Sequence, residues 1–169
     1  YKQIKAFFDL PESVKKKYEI EGGGGQRGYT SFGKEHAKGK KEGDLKEFWH
    51  FGQYAQVAEA LKQHYPPNVI VEEIPAFNEV GEAVFKALEQ TGVALLQAIA
   101  IYLNLDTHYF DDFVATGNSI LRPIHYPPIQ TAPKKAERAA AHGDINLITL
   151  LMGAHGRGLQ VLNRNNEWV

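Results

Sequence analysis

A chain of 169 residues has room for one domain with a sizeable core. A net charge of −1 sets up no field that would draw it to nucleic acid, and the absence of cysteine removes disulfides, thiolate metal sites and thiol nucleophiles. That composition fits a reducing compartment, so a cytoplasmic location is expected; no stretch reads as long and pure enough in apolar residues to span a bilayer, so no membrane partner is expected either.

Ile4, Phe7 and Phe8 make the apolar end of a short helix. Asp9-Leu10-Pro11-Glu12 breaks it and opens a second one, with proline in the first turn and an acid beside it, running to about Tyr18. Lys15-Lys16-Lys17 and the basic stretch 34–41 are interrupted or followed by acids and read as solvated faces. The glycines of 22–25 break the chain, without the lysine or the strand-before, helix-after setting of a phosphate-binding loop. Residues 27–41 are polar and glycine-rich, a long loop; the aromatic-dense 46–51 reads as a strand, and 65–68 as a turn.

Phe77, Val80, Val84, Leu88, Leu95, Ile99 and Tyr102 recur at steps of three to four. This spacing predicts a long helix from Pro75 to Leu103 with that stripe on the core, and Gly81 and Gly92 argue against its being straight. Asp106 reads as the N-cap of a short helix containing Tyr109, Phe110 and Phe113. Beyond Gly117 strands are predicted at 119–126, 139–152 and 159–161, with a loop at 131–138, a turn at 163–167 and a further strand starting at Trp168. Helices first and antiparallel strands after is an α+β order, with a helical and loop region over 1–117 and the strands over 118–169.

The most informative local feature is His142-Gly143-Asp144, followed by the apolar run 145–152. Strand side chains alternate, so a His and an Asp two apart share a face and can close on one metal ion. On a helix the same spacing would separate them. Alone, the dyad is a weak signal, equally readable as a strand-entry histidine bonded to its neighbour.

Four blocks change that reading. They are Phe7-Phe8-Asp9-Leu10-Pro11 with Lys15 to Tyr18; Gln26-Arg27-Gly28-Tyr29 through Asp44-Leu45-Lys46-Glu47; Leu121-Arg122 with Tyr126-Pro127-Pro128; and His142-Gly143-Asp144 through Leu151, then Gly158-Leu159-Gln160-Val161 and Trp168-Val169. In order and rough spacing they resemble the iron- and 2-oxoglutarate-dependent oxygenases related to isopenicillin N synthase. The resemblance implies a double-stranded β-helix (jelly roll) with helices outside it, incomplete in this chain. It implies that His142 and Asp144 are two members of a 2-His-1-carboxylate triad for Fe(II), that Tyr126 hydrogen-bonds the cosubstrate 2-oxoglutarate, and that Arg27 and Tyr29 lie in a loop facing substrate. The implied reaction is oxidation, hydroxylation by default, of a small organic molecule by O₂, with no catalytic group beyond the metal ligands.

Two departures accompany it. Ile124 stands where plant relatives often carry asparagine. The family's second histidine and its Arg-x-Ser pair, which binds the 2-oxoglutarate carboxylate, lie further along than Val169 reaches, and His155, in a glycine-rich loop, is no substitute. The expectation is that these 169 residues are part of a longer polypeptide or are completed by another chain. An oxidase of the same fold that uses no 2-oxoglutarate, a non-catalytic binding module and a zinc site completed by a second chain stay open. Arg122 reads as a structural ion-pair residue, and His50 and His125 as core histidines.

Overall fold

In the computed structural model, which describes residues 1–23, 25–36, 42–54, 65–129, 131, 137–153 and 158–169, aromatic side chains from distant parts of the chain converge on Phe7. Helix α1 (Lys2–Phe8) delivers Phe7 and Phe8 from its last turn, and Pro11 then starts α2 (Glu12–Lys15), which tightens into a 3₁₀ turn at Lys16–Tyr18. Both follow the pattern expected of an apolar helix end and a proline-led start. Tyr18, Tyr29, Trp49 and Phe77 all stack on or edge onto Phe7, with ring centroids 4.9 to 6.1 Å away.

Three antiparallel strands form one sheet: β1 (Gly28–Thr30), β2 (Glu47–His50) and β3 (Ile124–His125), in the order β1-β2-β3. Tyr29 faces Trp49 across the first ladder, and Glu47 faces His125 across the second. Strand β2 is buried throughout, since its Trp49 side meets the aromatic cluster while Arg122 lies 4.5 Å over Phe48 on the other. Strand β1 falls where the sequence predicts a polar, glycine-rich loop. Gly28 is needed there because its φ is +73° and a Cβ would stand 2.4 Å from the Tyr18 carbonyl oxygen.

Helix α3 (Ala76–Tyr102) matches the predicted span. It ends in a Schellman motif, with Asn104 at φ +57° and the Leu105 and Asn104 amides donating to the Ala100 and Ile101 carbonyls. Its buried stripe differs from the predicted one. Phe77, Gly81, Phe85, Gly92, Leu96 and Ala100 face inward, whereas Val80, Leu95, Ile99 and Tyr102 are exposed. The glycines mark the packed face: a Cβ on Gly81 would sit 2.3 Å from the ring of Phe51, just past β2, so the helix reaches that ring only because no side chain intervenes. Gly81→Ala is therefore expected to cost about 1–3 kcal/mol through overpacking, seen as a lower urea midpoint at unchanged slope. By length and composition α3 is long and apolar enough to cross a bilayer, contrary to the expectation from the sequence; Phe77 and Phe85 pack into the aromatic core, while most of the helix's apolar stretch stays outside it.

Helix α4 (Asp111–Ala115) begins later than expected, capped by Phe110; Asp106 instead accepts the His108 amide at 2.8 Å in a local turn. The predicted strand 119–126 is reduced to β3 and a single bridge from Leu121 to Phe51. The predicted buried strand 139–152 is irregular chain with no ladder bond among the described residues, and Ile145, Leu147 and Leu151 are exposed. A strand needs a neighbouring strand to pair with, and no described strand forms a ladder with this segment. The turn at 163–167 does form: Asn163 Oδ1 accepts the Asn165 and Glu167 amides, and Val161 and Val169 exchange backbone hydrogen bonds across it. The described residues thus make the expected α+β arrangement with one small antiparallel sheet, and a full double-stranded β-helix is not formed among them. His155, most of stretch 34–41 and most of the 131–138 loop lie outside the described residues.

Candidate metal centre

His142 and Asp144 lie side by side even without a strand ladder, with Nε2 3.6 Å from Oδ1. The remaining polar atom of each is committed elsewhere. His142 Nδ1–H donates to the Ala140 carbonyl at 2.8 Å, and Asp144 Oδ2 accepts the Thr149 hydroxyl at 2.5 Å. The Nδ1–H tautomer leaves a lone pair on Nε2, directed at a carboxylate oxygen. With the ring neutral these are two acceptors, and a cation fits between them; with the ring protonated they form an ion pair. First-row ions bind imidazole and carboxylate at about 2.0–2.2 Å, so one ion can reach both atoms. A second ring nitrogen tied to a backbone carbonyl is also how metal-bound histidines are usually oriented. The donor set therefore fits a divalent ion of the ferrous kind, and both side chains are about half exposed, which leaves room for further ligands. Among the described residues no cluster of three or more His, Cys, Asp or Glu side chains forms a fuller site.

The other predicted site residues occupy different surroundings. Tyr126 follows β3, is 40% exposed, and has no hydrogen-bond partner for its hydroxyl among the described residues. Tyr29 is not on a loop but on β1, buried, with its hydroxyl donated to Glu47, and burial pushes its phenol well above the ordinary value. Arg27 is buried beside β1. Its guanidinium donates to the Gln26 carbonyl and Asn118 Oδ1, its Nε is unpartnered, and no acid pairs with it among the described residues. Both residues help wall a cavity of about 450 Å³ that also touches Glu35 and Phe48.

Glu47 organises the sheet in a way the sequence does not announce. Burial would raise its carboxyl, but hydrogen bonds from Lys15 at 2.7 Å, from Tyr29 and from His125 at 2.8 Å outweigh that and hold it below the usual range. Lys46 is similar: burial disfavours its charge, yet Asp44 at 2.8 Å and Glu35 at 2.7 Å raise its pKa. Arg122 pairs with Glu35 at 3.3 Å, the structural ion pair anticipated for it.

His50 is a core histidine, as expected. Its Nδ1–H donates to the Gly25 carbonyl and its Nε2 accepts from Arg122 Nε at 2.5 Å. Burial, then the Arg122 charge, lower its pKa to about 4. The folded value lies below the unfolded one, so the unfolded chain binds the extra proton between about pH 6.5 and 4. Stability is full above that window and falls as pH drops through it, by an amount on the order of 3 kcal/mol. Urea melts across this range should show the loss, and His50→Gln should flatten the pH dependence.

The α+β scaffold brings an imidazole and a carboxylate within 3.6 Å of each other, a donor set compatible with a non-haem metal ion. Comparison with known proteins points the same way. Residues 1–73 match the family described as non-haem dioxygenase in morphine synthesis, N-terminal. A 2-oxoglutarate-Fe(II) type oxidoreductase of Aspergillus fumigatus is 29% identical over 98% of this chain and 52% of its own length. A crystal structure assigned to the 2OG-Fe(II) oxygenase family, from Caulobacter crescentus, is 46% identical with a TM-score of 0.84 over 99% of this chain and 53% of that one. A Neurospora crassa protein, crystallised at its full length in complex with alpha-KG, is 25% identical with a TM-score of 0.57, over 75% of this chain and 39% of that one. These matches make the chain similar to the 2-oxoglutarate–Fe(II) oxygenases, and it spans about half the length of the curated relatives it matches.

Proposed function

We propose that this chain is the first part of an Fe(II)- and 2-oxoglutarate-dependent oxygenase that oxidises a small organic molecule, by hydroxylation as the default outcome. The observation that carries this reading is the facing pair of His142 Nε2 and Asp144 Oδ1, each locked by a hydrogen bond on its far side. In this reading the small sheet is one portion of a jelly roll completed by further polypeptide, which also brings the third iron ligand. O₂ is the oxidant: ferrous iron would activate it when bound, one oxygen atom going to 2-oxoglutarate as it loses CO₂ to become succinate and the other to the substrate. His142 and Asp144 would hold the ion, the remaining ligands coming from elsewhere.

Tyr126 has a free phenol just past β3, suited to orienting a carboxylate of the oxoacid. The cavity beside Arg27 and Tyr29 is the proposed substrate-facing wall. Arg27 is the better placed of the two, since its buried cation lacks a counter-ion among the described residues, whereas the Tyr29 hydroxyl serves Glu47.

The test is made on a polypeptide of the relatives' full length that carries this chain. Oxygen-dependent release of succinate from 2-oxoglutarate, stimulated by an organic substrate, is the expected result. Oxygen uptake with substrate but no oxoacid would point to a 2-oxoglutarate-independent oxidase instead. No oxygen consumption with any candidate substrate would remove the reading.

A further inference from the structure

Ala140 is buried, alone among the described residues of 137–153 in that respect. Two contacts fasten this approach to the metal dyad. The Leu45 amide donates to the Glu137 carbonyl at 2.8 Å, and the Ala140 amide donates to Asp44 Oδ1 at 3.3 Å. The carbonyl of the same Ala140 residue accepts His142 Nδ1–H at 2.8 Å. Asp44 is itself fixed, since its Oδ2 takes Lys46 Nζ at 2.8 Å, and Lys46 is braced from the other side by Glu35 at 2.7 Å. Both side chains of the Asp44–Lys46 pair are about 5% exposed, so the pair is a rigid post in a low-dielectric setting. Beyond Asp144 the chain rests on α3 only lightly, through Ile148 and Leu150 near Gly92.

We propose that Asp44 is a positioning residue for the metal ligand His142: by gripping the Ala140 amide it sets the carbonyl that selects the Nδ1–H tautomer and aims Nε2 at the ion. This rests on the reading of His142 and Asp144 as metal ligands. It assigns to the loop before β2 a part in building a site that lies about a hundred residues further on. What matters at position 44 is an acceptor atom at the right place rather than a negative charge. A role limited to holding the fold through the Lys46 ion pair would depend on charge and tolerate a shifted oxygen.

Two substitutions separate these. Asp44→Asn keeps an oxygen in place for the Ala140 amide and gives up the charge, while Lys46 retains Glu35. Asp44→Glu keeps the charge and displaces the carboxylate by one methylene, about 1.5 Å. Two readouts are made on the intact chain. The first is the His142 tautomer from long-range ¹H–¹⁵N spectra in alkaline buffer without metal. The second is the Kd for Co²⁺ by titration.

The expected result is that Asp44→Asn keeps the Nδ1–H form and a Kd within about threefold of the parent. Asp44→Glu should lose the single tautomer and bind Co²⁺ about tenfold more weakly, the usual scale of a lost orienting partner. The reverse order, or two variants indistinguishable from the parent in the tautomer spectrum, overturns the proposal. A parent chain that binds no Co²⁺ would count against the metal reading alone, because the tautomer measurement tests the Asp44 link without any ion.

Discussion

Replacing His142 by alanine is expected to abolish divalent-ion binding at the dyad and to cut turnover of a full-length oxygenase carrying this chain at least ~100-fold, or about 2.7 kcal/mol. The argument is electrostatic and geometric. Asp144 is about half exposed, and one of its oxygens is already taken by Thr149. A single exposed carboxylate oxygen cannot compete with water for a first-row ion, whereas an imidazole held 3.6 Å away makes a chelate. The loss should be one of binding and chemistry, not of folding. His142 is 58% exposed in its side chain and lies apart from the aromatic cluster. His108→Ala serves as the comparison, since that histidine is exposed and pairs only with α4 and α3 groups. It should leave metal binding unchanged. Retention of full metal affinity in His142→Ala would place the ion elsewhere.

The largest effect on stability is expected at Phe7. Its ring is fully buried and meets Phe8, Tyr18, Tyr29, Trp49 and Phe77. These partners come from α1, the 3₁₀ turn, β1, β2 and α3, so one side chain joins nearly every described element before residue 103. Phe7→Ala removes both the transfer free energy and the contacts that surrounding rings cannot re-form, about 3–5 kcal/mol. Against a domain stability of roughly 5–15 kcal/mol, that leaves the fold marginal or lost. Phe7→Leu retains most of the volume and should cost less than half as much. Equilibrium urea unfolding read by Trp49 fluorescence measures both. A cost below about 1 kcal/mol for the alanine variant would show that Phe7 is not the keystone described.

Much of the helical part is legible because its signals are local. Proline at 11, the apolar end at Phe7-Phe8 and the three-to-four spacing from Phe77 onward each act within a turn or two of the chain. The face of α3 is misread from sequence for a physical reason. Counting only large apolar residues draws the stripe through Val80 and Leu95, while the helix packs where glycine lets Phe51 approach. Strand β1 escapes notice because a three-residue strand has no pattern of its own; its register comes from β2, some twenty residues away.

At the site, the dyad is visible as a spacing, and its members do converge, though irregular backbone rather than a strand brings them together. The bonds that hold them directly are local, from His142 to the Ala140 carbonyl and from Thr149 to Asp144; the bond that ties Ala140 to Asp44 is the distant one, and no local pattern announces it. The polar clusters around Glu47 and Lys46 are legible only as motif letters. Their partners Lys15, Tyr29, His125 and Glu35 are scattered through the sequence and meet only in the fold.

The account depends most on one ion touching both His142 and Asp144. Adding Mn²⁺ in small amounts to isotope-labelled chain and following paramagnetic broadening tests this directly. The imidazole signals of His142 and the carboxyl signal of Asp144 should broaden together and first, with Thr149 next, and His142→Ala should remove the effect. Broadening that centres on the acids of α4, or that spares His142 while affecting Asp144, would contradict it.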